Sequence, residues 1–301
     1  MPSFRKNKNP IKAGKQQAAT VMKRIQGSVL RSVGTVRNYE EALSRVAQFT
    51  NREFGCRLQE LSPKQAIQYL ETRSEEVGQK TLDMERQAIQ AMMRHVTGKL
   101  PPDGATLTVV KSAFKQIKES RAYTPEQVAM IANGQIERNA LATEIAHAAG
   151  LRSHELFTLR PAAERNADER PALDTKWLER EGKLYTVIGK GGLCREVLLP
   201  STLAARLESC RLAAPVKVTD RGIDYIQHYG INAGQCWSTS FSDASKRVLG
   251  WTTGSHGVRH SYAQERMREL KRIRLTRDVA LKTVSQEMGH FRPEITETYL
   301  R

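Results

Sequence analysis

The segment SHGVRHSYAQER, residues 255–266, sets His256 and Arg259 three residues apart, on one face if the segment is helical. An imidazole can move protons and a guanidinium can hold negative charge, so the pair suits an oxyanion of phosphorus. His256 and His260 are also four apart, as zinc ligands often are, but no HExxH pattern or third ligand accompanies them. In AAGLRSHELFTLR, residues 148–160, Arg152 follows a glycine turn and Glu155 lies three residues on, able to brace its guanidinium. An ordinary surface ion pair is the competing reading of that stretch. The sequence closes with VSQEMGHFRPEITETYLR, in which Gly289 ends a helix, His290 follows and Tyr299 comes nine residues later. Taken alone, a tyrosine at that place is an amphipathic anchor for a fraying terminus.

These side chains need elements to hold them. KLYTVIGKGGLCREVLLP, residues 183–200, has two β-rich runs around Gly-Lys-Gly-Gly and reads as a hairpin with Lys190 at its tip. The rest of the C-terminal half is helical, opening at TPEQ (residues 124–127), where Thr124 caps a helix and Pro125 begins it. Upstream, Tyr39, Leu43, Val46 and Phe49 form one apolar stripe, Ser62-Pro63 with Gln65 starts a second helix, and Leu82, Ile89, Met92, Met93 and Val96 mark a third. Such stripes are helix-packing core. LPPDGATLT, residues 100–108, breaks the periodicity and starts a linker continuing through Lys111, Lys115, Lys118 and Arg121. The expected organisation is a basic N-terminal arm over 1–35, a helical domain over 36–99, a linker over 100–121 and a larger domain over 122–301.

Bulk properties narrow the partner. A hydrophobic content of 39% and a charged content of 27% exclude a disordered chain, and no run of about 18 apolar residues offers a membrane span. The net charge of +16, from 48 basic and 32 acidic side chains, draws polyanions, of which nucleic acid is the commonest in a cytosol. Arg5, Lys6, Lys8, Lys12, Lys15, Lys23, Arg24, Arg31 and Arg37 all precede the first acidic residue, Glu40, a pattern that fits a flexible basic arm tracking phosphates, with a solvated tail as the competing reading. The four cysteines, Cys56, Cys194, Cys210 and Cys236, are widely spaced, which suits a reducing cytosol and neither zinc nor a disulfide framework.

In their order along the chain, these motifs resemble those of the tyrosine recombinases, the phage integrase family. GLRSHEL with Arg152 looks like the family's first arginine box, GKGG its hairpin lysine, SHGVRH its second box, and His290 and Tyr299 its last two positions. The resemblance covers residues 122–301 and extends more loosely to the N-terminal helices, which look like the SAM-like core-binding domain. It implies a mainly α protein with a small β-hairpin or sheet, the catalytic domain being mixed α/β. It also implies a site-specific DNA recombinase or integrase acting through a 3′-phosphotyrosyl intermediate. In that scheme Arg152 and Arg259 clamp the phosphate, and Tyr299 is the nucleophile. His256 takes its proton, Lys190 is the general acid, His290 binds a phosphate oxygen and Glu155 orients the first box. Bond energy is kept in the ester, so neither ATP nor metal is required. The partners implied are duplex DNA with a specific core site and three further copies of the chain in a synaptic tetramer, in the cytoplasm and at the nucleoid of a bacterium. Candidate groove readers are Ser245, Lys246 and Arg247 on SFSDASKRVLG.

The simple layout, with a short basic tail in place of an arm-binding domain, fits an integrase of a mobile element, with Xer-type resolvases sharing it. A type IB topoisomerase uses similar residues, and a non-catalytic DNA-binding regulator on the same scaffold is the reading from another class. Relatives continue past the tyrosine into a helix that packs on a neighbouring protomer. Leu300 and Arg301 are too few for one, so either another joining surface or a shortened chain is expected.

Overall fold

The computed structural model describes residues 9–115 and 119–301. The chain folds as two compact units, divided between residues 117 and 118.

The first unit is helical: α1 (Pro10–Ile25), α2 (Val33–Phe54), α3 (Pro63–Ser74) and α4 (Gln79–Met92), the last running on into a π turn over Met93–Thr97. Leu43, Val46, Leu82, Ile89, Met92 and Met93 are buried as their spacing predicts, with Tyr39, Phe49 and Val96 packed at the edge. The capping box at Ser62 is made: its hydroxyl accepts from Gln65 N, and the Gln65 side chain accepts from Ser62 N.

Two expectations are corrected here. Residues 10–25 are a packed helix and no flexible arm. Ala18, Val21, Met22 and Ile25 follow a helical period and are buried against α2, while Lys12, Lys15, Lys23 and Arg24 face outward. Gly14 lets the helices close up, since a Cβ there would stand 2.8 Å from the Ser44 carbonyl oxygen. Arg5, Lys6 and Lys8 lie outside the described residues. The stretch after α4 is no free linker either. Leu100 and Leu107 are buried in this core, Arg86 donates to the Leu107 carbonyl, and Gln79 accepts from Ser112 N. Apolar anchors thus hold most of a segment in which Pro101, Pro102 and Gly104 stop helix formation.

The second unit holds α5 (Pro125–Asn133), α6 (Glu137–Ala148), β1 (Arg160–Pro161), β2 (Lys183–Ile188), β3 (Cys194–Leu199), α7 (Ser201–Ser209), β4 (Arg211–Asp220), β5 (Ile223–Tyr229), α8 (Gly234–Leu249), α9 (Gly257–Arg272), α10 (Arg277–Glu287) and α11 (Pro293–Glu297). The hairpin expected over 183–200 is present, β2 and β3 pairing antiparallel with Val187 opposite Arg195, and β1 extends it to a three-stranded sheet. A second hairpin, β4–β5, interrupts a half whose sequence reads as otherwise helical. Its two-residue turn is Arg221-Gly222, both at positive φ, which matches the twist of the strands it joins.

The main core of this unit runs from Tyr123 and α5 through α6, the sheet and α8 to Val258. A smaller one joins α9 and α10 to Tyr299 through Tyr262, Met267, Leu270, Val284 and Met288. Among the described residues no helix is long and apolar enough to cross a membrane.

Candidate active site

Three helix boundaries deliver the polar residues to one place. α6 ends at Gly150, whose φ of +58° turns the chain, and a Cβ there would come within 2.7 Å of the Tyr262 ring. Arg152 follows directly, and a 3-10 turn over Glu155–Thr158 swings Glu155 back beneath it. α9 begins just after His256 and carries Arg259 and His260 in its first turn. It is registered by Ser261, whose hydroxyl accepts from Tyr123 N and donates to the Tyr123 carbonyl. α10 stops at Gly289 (φ +71°), His290 comes next, and α11 brings the chain back so that Tyr299 lies among the histidines.

The surface ion pair is excluded, because Glu155 is 0% exposed. Its carboxylate accepts from Arg152 Nη1 at 2.7 Å, Arg152 N at 2.8 Å and Arg195 Nη2 at 2.9 Å, with Arg259 Nη1 3.8 Å away. Burial pushes the carboxyl up, but the guanidiniums of Arg195, Arg259 and Arg152 outweigh it and hold it down at about 2. It is therefore a fixed anion that aligns cations.

Arg259 is also 0% exposed. It donates to the carbonyls of Gly150 and Met288 and, through Nη2 at 3.0 Å, to His290 Nε2. Burial and Arg152 push it down to about 10, against the pull of Glu155, so it stays charged at neutral pH. Because a guanidinium can only donate, His290 Nε2 is the acceptor and its Nδ1–H donates to Thr296 Oγ1 at 2.9 Å. Burial, Arg259, Arg152 and Arg195 hold this ring down at about 3, which keeps it neutral. A donation from His290 Nε2 to a phosphate oxygen would need the other tautomer.

Tyr299 is 8% exposed and surrounded. Its ring centroid lies 4.7 Å from that of His260, 5.0 Å from His290 and 5.5 Å from His256, and the Arg259 guanidinium carbon sits 5.5 Å from the ring centroid. His256 is open to solvent on one side, yet the protein around it, with Arg259, His260 and Arg121, pushes its imidazole down to about 3. His260 is buried and pushed down to about 4 by burial and Arg121, with a hydrogen bond to the Tyr299 backbone acting the other way. Its Nδ1 has no hydrogen-bond partner among the described residues. All three imidazoles are thus neutral at physiological pH; His290 Nε2 is taken by Arg259, which leaves His256 and His260 as the rings with a nitrogen able to accept a phenol's proton.

Lys190 is exposed at the hairpin tip. The backbone beside it lies against the buried cluster, since a Cβ on Gly189 would stand 3.2 Å from Glu155 Oε1 and 4.0 Å from Arg152 Nη1. The structure therefore brings Arg152, Glu155, His256, Arg259, His290 and Tyr299 together and sets the Lys190 hairpin against them. Three contributors escaped the sequence. Arg195 lies in a strand whose inward face is otherwise apolar, His260 was weighed only as a zinc ligand, and Thr296 was unmarked. The one available signal for Arg195 was an arginine amid β-rich residues, where a buried charge needs a partner.

The candidate DNA-binding residues fare unevenly. Ser245 is fully buried and its hydroxyl donates to the Trp251 carbonyl, so it cannot read a groove; it occupies the inner face of α8. Lys246 and Arg247 are exposed, although Arg247 also donates to the Gly134 carbonyl at 2.6 Å. Lys111 and Lys115 are exposed in the first unit, and Lys118 lies outside the described residues. Arg121 is exposed and donates to the Thr253 carbonyl at 2.6 Å, close enough to bear on both His256 and His260.

The chain has the fold of the tyrosine recombinases. It is similar to XerH site-specific recombinase bound to its difH substrate, with a TM-score of 0.58 at 14% identity over 98% of this chain and 94% of that one. Tn1549 transposon integrase in complex with transposon right-end DNA gives 0.57 at 16% identity, covering 96% and 94% of the two chains. A lambda integrase dimer on a core site gives 0.59 at 15% identity, covering 95% and 94%. No protein-family model and no curated protein sequence matches the chain.

Proposed function

We propose that the protein is a site-specific DNA recombinase that breaks and rejoins duplex DNA through a covalent 3′-phosphotyrosyl intermediate. The observation that carries this reading is Tyr299 held among three neutral imidazoles, with the Arg259 guanidinium 5.5 Å from its ring.

A phosphodiester resists attack because an anion must accept a nucleophile and gather further charge. Arg152, held by Glu155 and partly open to solvent, meets the non-bridging oxygens directly, while Arg259, fully buried nearby, adds fixed positive charge to the site. The Tyr299 hydroxyl must lose its proton to attack, and a neutral imidazole takes it, His256 being the one open to solvent. The Oη–P bond forms as the P–O5′ bond breaks, and Lys190 gives its proton to the departing 5′ oxygen. The products are a 3′-phosphotyrosine and a free 5′-hydroxyl. Attack by another strand's 5′-hydroxyl reverses each transfer, so the ester energy is conserved and no nucleotide cofactor or metal takes part.

A neighbour of this fold has been seen as a tetramer, lambda integrase on a Holliday junction, and a tetramer of this chain on paired core sites is the matching assembly. Integration or excision of a mobile element is the biological role this reading favours, in a cytoplasm where DNA is accessible. Lys246, Arg247, Lys111, Lys115 and Arg121 supply phosphate contacts, which fix position more than sequence.

The test uses nicked duplexes tiled across the DNA flanking the gene. Wild-type protein is expected to trap a denaturant-resistant covalent complex on one of them, and Tyr299→Phe none. If the wild type traps no more than the variant, the enzyme reading fails and a DNA-binding regulator takes its place. Exchange between two such sites, against mere relaxation of a supercoiled plasmid, separates a recombinase from a topoisomerase.

A further inference from the structure

Glu155 needs one cation to offset its burial and has three. Arg152 and Arg259 both belong to the phosphate clamp, whereas Arg195 comes from the lysine hairpin, pairs in register with Val187 and is 5% exposed. Its two terminal nitrogens go to different places. Nη2 donates to Glu155 Oε2 at 2.9 Å, and Nη1 donates to the Glu287 carbonyl at 2.7 Å, two residues before Gly289. Its stem fills the space that a side chain at Gly289 would take, a Cβ there falling 2.5 Å from Arg195 Cδ.

We propose that Arg195 is a positioning residue that latches the Lys190 hairpin to both halves of the phosphate site, the Arg152–Glu155 turn and the Gly289–His290 turn. The inference rests on reading this site as a phosphoryl-transfer centre. A planar fork with separated donors can hold a carboxylate and a carbonyl at fixed angles, whereas an ammonium offers one point charge. Arg195 thus does more than neutralise a buried anion. It sets the distance between the turn carrying the first clamp arginine and the turn carrying His290, whose Nε2 orients the second. It also ties both to the strand pair presenting the general acid.

Arg195→Lys keeps the charge that Glu155 needs and loses the second arm, so the fold is retained while the latch is cut. Two readouts follow on purified full-length protein. In single-turnover cleavage of the nicked duplex, the rate constant is expected to fall about 10- to 100-fold, the scale of a misplacement of about 1 Å. Affinity for the same duplex should change less than about threefold, because phosphate contacts elsewhere dominate binding. In hydrogen exchange of the free protein, the Arg152 amide, which donates to Glu155, and the His290 amide, which donates to the Ser285 carbonyl, should lose protection together, while amides in the middle of α8 keep theirs. Glu155→Gln preserves shape and removes the anion that Arg195 holds, so it should give the same paired loss. A cleavage rate within twofold of wild type, or loss of protection in one turn alone or in neither, overturns the proposal. Should the wild type form no covalent complex, the recombinase reading fails, and the paired exchange still decides whether Arg195 joins the two turns.

Discussion

At the scale of single residues, the site divides between groups whose position is fixed and one that is free. Arg259, Glu155 and Arg195 are buried and multiply bonded, so they act as a preorganised field. Lys190 is exposed, so under the proposed reaction it would meet the leaving oxygen only when DNA is present. If it is the general acid, Lys190→Ala should slow cleavage of an ordinary phosphodiester by about 100-fold. A substrate with sulfur in place of the bridging 5′ oxygen leaves without a proton and should restore most of that rate. Failure of the sulfur substrate to do so would assign Lys190 to binding alone. Apart from Arg195, the identities of the site residues were legible in the chain because arginine, histidine and tyrosine at such spacings have few other uses together. Their state was not. Whether Glu155 lay on the surface or in the interior depended on residues up to about a hundred positions away.

At the scale of elements, glycine-ended helices aim the chemistry. Gly289 combines positive φ with direct contact to Arg195, whereas Gly250, at the end of α8 with φ +81°, has open space around it. Gly289→Ala should therefore destabilise the second unit by about 3 kcal/mol, and Gly250→Ala by about 1 kcal/mol, the left-handed backbone alone accounting for the smaller figure. Urea unfolding followed by tryptophan fluorescence reads this unit selectively, since Trp177, Trp237 and Trp251 all lie in it. Equal effects would mean that the Arg195 contact yields freely. The β2–β3 hairpin announced itself through two β-rich runs around Gly-Lys-Gly-Gly. The β4–β5 hairpin did not, because its first strand contains Pro215 and is mostly exposed, so no alternation of apolar and polar residues marks it.

At the scale of the whole molecule, charge and acid sensitivity are the properties to test. His256, His260 and His290 titrate well below their ordinary value of about 6.5, and Glu155 below that of a free carboxyl. For each, the unfolded chain binds the proton more readily, so acid favours unfolding. The imidazole contribution is whole above about pH 6.5 and is lost as pH falls from there towards about 3, with that of Glu155 following below about 4.5. The thermal midpoint of the second unit, read by tryptophan fluorescence, should be level between about pH 7 and 8 and fall steadily below about 6.5. A midpoint unchanged down to about pH 5 would contradict neutral, desolvated imidazoles. The net charge of +16 was visible at once as a signal for a polyanion, but its distribution misled over residues 10–25. There an apolar face one helix wide was hidden among lysines, and only α2, packed on it, reveals what it is for.

What the sequence alone determined is the roster and order of reactive side chains, the helix starts at Ser62 and Thr124, and the hairpin carrying Lys190. All are local: a cap, a turn or a residue type states its own chemistry within about four positions. What only the tertiary structure decided is which charges are buried, which nitrogen of His290 carries the proton, that Ser245 faces inward, and that Arg195 reaches two turns at once. Those depend on contacts between segments far apart in the chain, where burial raises the strength of every charge and fixes whom it can meet.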